Sequence, residues 1–243
     1  MKILGCSGSK MDNKFPTTIQ LNKRILIDAG NIMGLGKKAQ YIDYIFLTHS
    51  HLDHILDIPF LIDNFFSIRK LPIVIFGLEE TLMDLKKYIF NNQIWPDFNQ
   101  IDLLNHQFKA IMFIPIEEDE VKIIDNITIR SIKSNHIIPT LGYVINEETI
   151  FSGDTYKNDV LKQELQNKNI KNLIIDVSFP SYLEELAKVS KHLTPTSLKE
   201  FLDEVNRKDL NVYIFHLKPQ FEEDIKKELQ KLNVTILKQG DII

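Results

Sequence analysis

A single cysteine, Cys6, stands in a chain of 243 residues, so no internal disulfide can form and the fold does not need an oxidising compartment. Long apolar runs are missing as well: no stretch approaches the roughly 18 residues of a membrane span. ILGC at 3–6 superficially looks like a lipoprotein cleavage box, but it sits too close to Met1 to follow a signal segment. The expectation is a cytoplasmic protein with no membrane partner. There is no excess of positive charge either. With 29 Lys and Arg against 33 Asp and Glu, the net charge of -4 offers no basic footprint for sequence-independent nucleic-acid binding. The Lys- and Asn-rich stretch QELQNKNIKN at 163–172 reads as a solvated face. No repeat, low-complexity tract or obvious linker divides the chain, so one domain over 1–243 is expected. Its 44% hydrophobic content suffices for a sizeable core.

What is present is a series of short apolar runs with polar ends: ILID (25–28), YIFL (44–47), IVIF (73–76), AIMFI (110–114), ITIRSI (127–132), TIF (149–151), NLIID (172–176), VYIF (212–215) and VTIL (234–237). Their length and their Ile, Val and Phe content predict strands. Helical spacing fills 52–66, 79–91, 181–189, 195–206 and 220–231, and Thr194 before Pro195 reads as an N-cap with proline at the first helical position. The chain is therefore a mixed α/β protein.

The densest chemistry lies in THSHLDH at 48–54, where His49, His51, Asp53 and His54 directly follow the apolar run YIFL. Imidazole nitrogen together with carboxylate oxygen suits Zn, Mn or Fe, and the spacing of two histidines and a following Asp-His within six residues suggests two metals. His136 follows ITIRSIKSN, Asp154 follows TIFSG, Asp176 ends NLIID and His216 follows VYIF. Each lies at or just past a predicted strand end, where loops gather functional groups onto one rim. Taken singly, Asp154 could be a turn residue and His216 a buried, hydrogen-bonded core histidine. His106 fits no motif and is expected to be structural or exposed.

HSHLDH, then His136, Asp154 and His216 in that order, resembles the ligand set of the metallo-β-lactamase superfamily. Within it the chain resembles the class II cyclic-nucleotide phosphodiesterases, through LGCSG, ILIDAG, IFLTHSHLDHI, PFLIDN, IFNNQIWPDF, FSGDT, DVSFPSYLEELA, KHLTP and FHLKP. These segments cover nearly the whole length. The resemblance implies an αββα sandwich, with two mixed sheets, helices on the outer faces and a dinuclear site at one edge. It implies that His49, His51 and His136 bind one divalent transition-metal ion, that Asp53, His54 and His216 bind the other, and that Asp154 bridges them. Zinc is the first expectation, with Mn or Fe as other fits. Two cations about 3.5–4 Å apart need such an anionic bridge. The resemblance also implies a homodimer.

Asp53, His192 and Asp176 are the candidate catalytic residues. His192 lies two residues before the N-cap Thr194, and a helix N-terminus suits phosphate. The resemblance implies that a histidine here contacts phosphate or protonates the leaving oxygen, so His192 is the candidate general acid, oriented by Asp176. The competing reading is a histidine that merely caps or packs beside the helix. Trp95, Asn92 and Thr194 are candidate substrate contacts, Trp95 by stacking on a nucleobase, although packing in the core or at a dimer contact explains Trp95 equally well. Asp28 in ILIDAG reads as a residue supporting the ligands or a turn. The expected function is hydrolysis of 3′,5′-cyclic nucleotides, cyclic AMP or cyclic GMP, to 5′-monophosphates by metal-hydroxide attack. The alternatives are a ribonuclease of the tRNA 3′-processing type, disfavoured by the missing basic footprint, and a cyclic-nucleotide-binding module with a weak or inactive site.

Overall fold

A computed structural model describes every residue from Met1 to Ile243. The chain forms two compact units, one of Met1–Gly5, Phe15–Ile116 and Lys238–Ile243, the other of Cys6–Lys14 and Glu117–Leu237.

The first unit holds a six-stranded sheet in sequential order: β1 (Lys2–Gly5), β2 (Thr18–Gln20), β3 (Ile25–Ile27), β4 (Tyr44–Phe46), β5 (Ile73–Gly77) and β6 (Ile111–Pro115). The first three pair antiparallel, and β3 to β6 run parallel. Every residue of β3 is buried, the pattern of a strand covered on both faces, which explains why ILI shows no polar alternation. Leu26, Ile45, Leu47 and Ile75 form the core with Ile58, Leu61 and Ile62 of the flanking helix. The helical signal over 52–66 resolves into α1 (Leu52–Ile55) and α2 (Ile58–Phe65). Pro59 supplies the reason: without an N–H it cannot bond back to Ile55, so it sits in the first turn of a new helix. The 79–91 signal appears as α3 (Glu79–Asp84), continued by a π-helical turn over Leu85–Ile89.

The second unit holds a seven-stranded sheet built from β7 (Val121–Ile124), β8 (Ile127–Lys133), β9 (Leu141–Ile145), β10 (Thr149–Phe151), β11 (Asn172–Asp176), β12 (Asn211–Phe215) and β13 (Thr235–Ile236), again in sequential order. Strands β7 to β10 form an antiparallel meander, and β10 to β13 are parallel. Parallel neighbours need crossover connections, and α4 (Asp159–Glu164), α5 (Glu184–Ser190), α6 (Pro195–Val205) and α7 (Glu222–Leu229) lie in those connections. Leu198 and Phe201 of α6 and Ile225 of α7 join the core of Leu173, Ile175 and Ile214.

All nine predicted strand runs form strands. Four others escaped the apolar-run criterion. β2 has three residues, β9 carries Gly142, and β7 is a sheet-edge strand whose residues alternate between exposed and half-buried. β1 runs into the LGCSG segment and has only Ile3 and Leu4 as an apolar pair. The helix α4 and a 3-10 stretch over Met33–Tyr41 were likewise not anticipated.

The expected N-cap is present. The Thr194 hydroxyl accepts from Ser197 N–H, and Ser197 Oγ accepts from Thr194 N–H in return, which closes a capping box at the head of α6. Thr194 also donates to Glu184. Thr194→Ala should lower unfolding free energy by about 1–2 kcal/mol, read from the midpoint of a urea titration at unchanged slope.

Candidate functional site

Every predicted ligand stands just beyond the end of a strand. In the first unit, β4 ends at Phe46 and the chain turns through Thr48 and His49 into α1, so that His51, Asp53 and His54 fall within a single turn. His49 and His54 are fully buried, and their rings lie 4.1 Å apart. His49 Nε2 faces His51 Nδ1 at 2.9 Å, and His54 Nε2 lies 3.9 Å from Asp53 Oδ2. Asp28 fixes this arrangement from below. Its fully buried carboxylate accepts from Thr48 N–H (2.8 Å), from the Thr48 hydroxyl (3.0 Å to either oxygen) and from His54 Nδ1–H (2.8 Å). Asp28 thus holds Thr48 and His54 in place. Burial pushes its carboxyl above the ordinary value, with His54 and Thr48 pulling the other way.

In the second unit, Asp154 follows β10, Asp176 closes β11, His192 follows α5 and His216 follows β12. Asp154, His192 and His216 bring potential ligand atoms within 4.8 Å of one another. His216 Nε2 lies 3.2 Å from Asp154 Oδ2. His136, just past β8, packs its ring 5.0 Å from His192 and turns Nδ1 to the Lys191 carbonyl at 3.3 Å. The predicted Asp176–His192 pair forms, with Nδ1 donating to Oδ2 at 2.7 Å. Burial alone would push the His192 ring down, but the carboxylate of Asp176, helped by Asp154, outweighs it and the net shift is upward.

The donors suit divalent transition metals. Four rings turn Nδ1 toward a protein oxygen: His54 to Asp28, His49 to Thr48, His136 to Lys191 and His216 to Ser178 at 2.8 Å. With Nδ1 engaged in this way, Nε2 lies on the opposite edge of each ring, an arrangement that suits a metal-binding imidazole.

The remaining candidates divide. Trp95 packs edge-on against Phe60 of α2 at 5.4 Å and joins the rim of the core. Asn92 is exposed and accepts from Asp97 N–H. His106 is exposed, at the left-handed corner of a loop. The donors at the head of α6 are already engaged within the protein: Thr196 N–H bonds Ser181 and Ser197 N–H bonds Thr194. The helix therefore offers a phosphate its dipole rather than open N–H groups.

Sequence reasoning missed three supporting residues, Thr48, Ser178 and Gly8. The first two lie beside predicted site residues, His49 in THSH and Asp176 in DVSF, but a hydroxyl carries no ligand signal of its own. Gly8 shows its role only in space. A Cβ there would lie 2.4 Å from the His216 carbonyl oxygen and 2.8 Å from Nδ1, and His216 itself is held at φ +69°. Gly8→Ala should cost about 1–3 kcal/mol of stability through overpacking, measured by denaturant titration, and should displace the His216 ring resonances.

The family model described as Anti-Pycsar protein Apyc1 matches residues 3–243. The chain belongs to this family. Among curated relatives, it is 25% identical over 229 residues to a probable 3′,5′-cyclic-nucleotide phosphodiesterase of Yersinia pestis, covering 83% of this chain and 64% of that protein. It is 28% identical over 220 residues to the 3′,5′-cyclic-nucleotide phosphodiesterase of Aliivibrio fischeri, covering 77% and 64%. Ribonuclease Z of Clostridium perfringens is 28% identical over 163 residues, covering 59% and 50%. The chain thus spans less than two thirds of the length of each. Among solved structures, unliganded yeast PDE1 superposes with TM-score 0.79 at 17% identity, over 98% of this chain and 97% of that one. The metallo-β-lactamase fold protein YhfI of Bacillus subtilis gives 0.74 at 18%, over 99% and 96%. The expected metallo-β-lactamase fold, with two mixed sheets and their helices, is therefore borne out, and its His and Asp clusters suit divalent metal ions.

Proposed function

We propose that the chain is a dinuclear metal-dependent phosphodiesterase that opens 3′,5′-cyclic nucleotides to 5′-monophosphates. The observation that carries this reading is the buried Asp176–His192 pair placed against Asp154 and His216. A ring held by its Nδ1 has Nε2 available, which is what proton transfer to a leaving oxygen requires. The phosphodiesterases of Yersinia pestis and Aliivibrio fischeri support the substrate class.

His49, His51 and His136 would hold one ion, Asp53, His54 and His216 the other, with Asp154 shared between them. Zinc is the preferred ion for this mixture of imidazole and carboxylate, and Mn or Fe the alternative. Bound ions would neutralise charge on the phosphoryl oxygens and lower the pKa of water towards neutrality. The protein's own part is to fix the rings, to balance charge through Asp53 and Asp154, and to deliver a proton from His192 to the leaving 3′ oxygen. Trp95 and Asn92 are the proposed contacts to the base, and Thr194 braces the start of α6 beside His192.

A turnover assay of the metal-loaded protein on the 3′,5′-cyclic nucleotides and on a precursor tRNA tests the reading. It should release 5′-monophosphates from a cyclic nucleotide, and Asp154→Ala should lose both turnover and metal by elemental analysis. Full two-metal occupancy in that variant refutes the shared ligand. The similarity to ribonuclease Z sustains a second reading, and cleavage of the tRNA alone would establish it in place of the first. Tight cyclic-nucleotide binding without turnover would mean a binding module.

His192→Ala should retain both metals and lower kcat on a cyclic nucleotide by roughly 10²–10⁴-fold. A p-nitrophenyl phosphodiester, whose leaving group needs no proton, should lose far less. Equal losses on both substrates would reassign His192 to phosphate binding or structure.

A further inference from the structure

Charge pairing in the second unit breaks at two lysines, and both stand beside the candidate site. Five half-buried lysines of that unit, Lys14, Lys122, Lys157, Lys162 and Lys226, each hold a glutamate in an ion pair. Lys191 and Lys218 are half-buried as well, but their ammonium groups meet only neutral oxygens. Lys191 Nζ donates to Asn135 Oδ1 at 2.9 Å, and Lys218 Nζ donates to the Gly8 carbonyl at 2.8 Å. An ammonium carries three donors, so each keeps two hydrogens and a charge that no carboxylate meets. Partial burial strips hydration from a charge, and proteins ordinarily recover that loss by pairing it.

Both lysines are tied to the histidines of the site. His192 packs against the ring of His136 at 5.0 Å and against that of His216 at 5.3 Å. Lys191 is anchored on the His136 side: Asn135 directly precedes His136, and the Lys191 carbonyl lies 3.3 Å from His136 Nδ1. Lys218 is anchored on the His216 side. Gly8, whose carbonyl it bonds, backs onto that ring so closely that a Cβ on Gly8 would lie 2.8 Å from His216 Nδ1. The charge of Lys218 also reaches His192, where it opposes protonation of the ring. Asp176 and Asp154, the carboxylates of the same site, lie against His192 and His216 rather than against either lysine. Two ammonium groups with donors to spare, beside imidazoles, fit an anion that offers several acceptor oxygens, and a phosphate ester is such an anion.

We infer that Lys191 and Lys218 are the cationic contacts to the substrate's phosphate, binding the non-bridging oxygens of the phosphodiester and of the monophosphate it becomes. The inference rests on the phosphodiesterase reading for the identity of the ester, whereas phosphate binding itself can be measured without turnover.

Inorganic phosphate is the probe. In the zinc-loaded protein, Lys191→Met and Lys218→Met keep the apolar stem and remove the charge. Each should weaken phosphate binding by about tenfold, and the double variant by about 100-fold, read by calorimetric titration. Zinc affinity, measured by chelator competition, should be unchanged. Lys191→Arg and Lys218→Arg should restore most of the phosphate affinity, because a guanidinium supplies both charge and donors. On a cyclic nucleotide the Met variants should raise KM more than they lower kcat. Phosphate affinity equal to that of the unaltered protein overturns the inference. So does a loss of zinc affinity as large as the loss of phosphate affinity, which would make the lysines mere ties that hold Asn135 and Gly8. Should a Met variant fail to fold, the unaltered protein decides: the side-chain resonances of Lys191 and Lys218 should shift on phosphate titration while those of the ion-paired Lys14 and Lys226 stay in place, and unshifted Lys191 and Lys218 refute the inference. Phosphate binding that depends on both lysines, with no turnover of any cyclic nucleotide, would refute the phosphodiesterase reading alone, so the two failures are separable.

Discussion

Asp28 and Asp176 are buried carboxylates, and the geometry around the candidate site depends on satisfying them. An ionised carboxylate taken out of water costs several kcal/mol unless donors replace the lost hydration. Asp28 is met by Thr48 N–H, the Thr48 hydroxyl and His54. Asp176 is met by Thr155 N–H at 3.3 Å, by Ser178 and by His192. Since the imidazoles are among the donors, rotating a ring would strip a buried charge of a partner. The electrostatic demand of the support thus becomes rotational rigidity in the residues it supports.

The backbone pays for this arrangement at two places, Asp28 at φ +57° and His216 at φ +69°. Left-handed conformations cost an ordinary residue about 1–3 kcal/mol and persist where the surroundings over-determine them. At His216 those surroundings are Ser178, the Cys6 carbonyl that accepts from His216 N–H, and the close approach of Gly8. At Asp28 they are the Thr48 donors and the hydrogen bond from Asp28 N–H to the Phe46 carbonyl. Both strained residues directly follow a strand whose last residues are buried, β3 or β12, and that packing offsets a local cost of this size. Parallel strands reinforce the arrangement: the functional residues after β4, β10, β11 and β12 all emerge from the carboxyl ends of strands, where loops of an α/β sheet collect.

Much of this was legible in the chain. The nine apolar runs became strands, eight of them with a parallel partner and β8 in the antiparallel meander, because strands packed in a sheet favour β-branched and aromatic residues, and that preference is written in composition alone. His49, His51, Asp53 and His54 were readable because four ligand-type residues in six positions is an unusual density, and His136, Asp154, Asp176, His192 and His216 because each follows a strand or precedes a helix cap. The division of 52–66 into two helices was also latent, in Pro59. Strands β2, β7 and β9 were not legible, since their pairing comes from neighbours across the sheet rather than from their own pattern.

The sequence by itself determined which atoms are available: the imidazoles and carboxylates, the strand ends that carry them, and the cap at Thr194. Those follow from local residue type and spacing. Only the tertiary structure decided how those atoms are oriented, because that depends on contacts between residues far apart in the chain: Asp28 with His54, Asp176 with His192, Gly8 with His216. Thr48 and Ser178 fall on the same side of the line. A hydroxyl is mute in a sequence, and it acquires its place when folding sets it between a buried carboxylate and an imidazole.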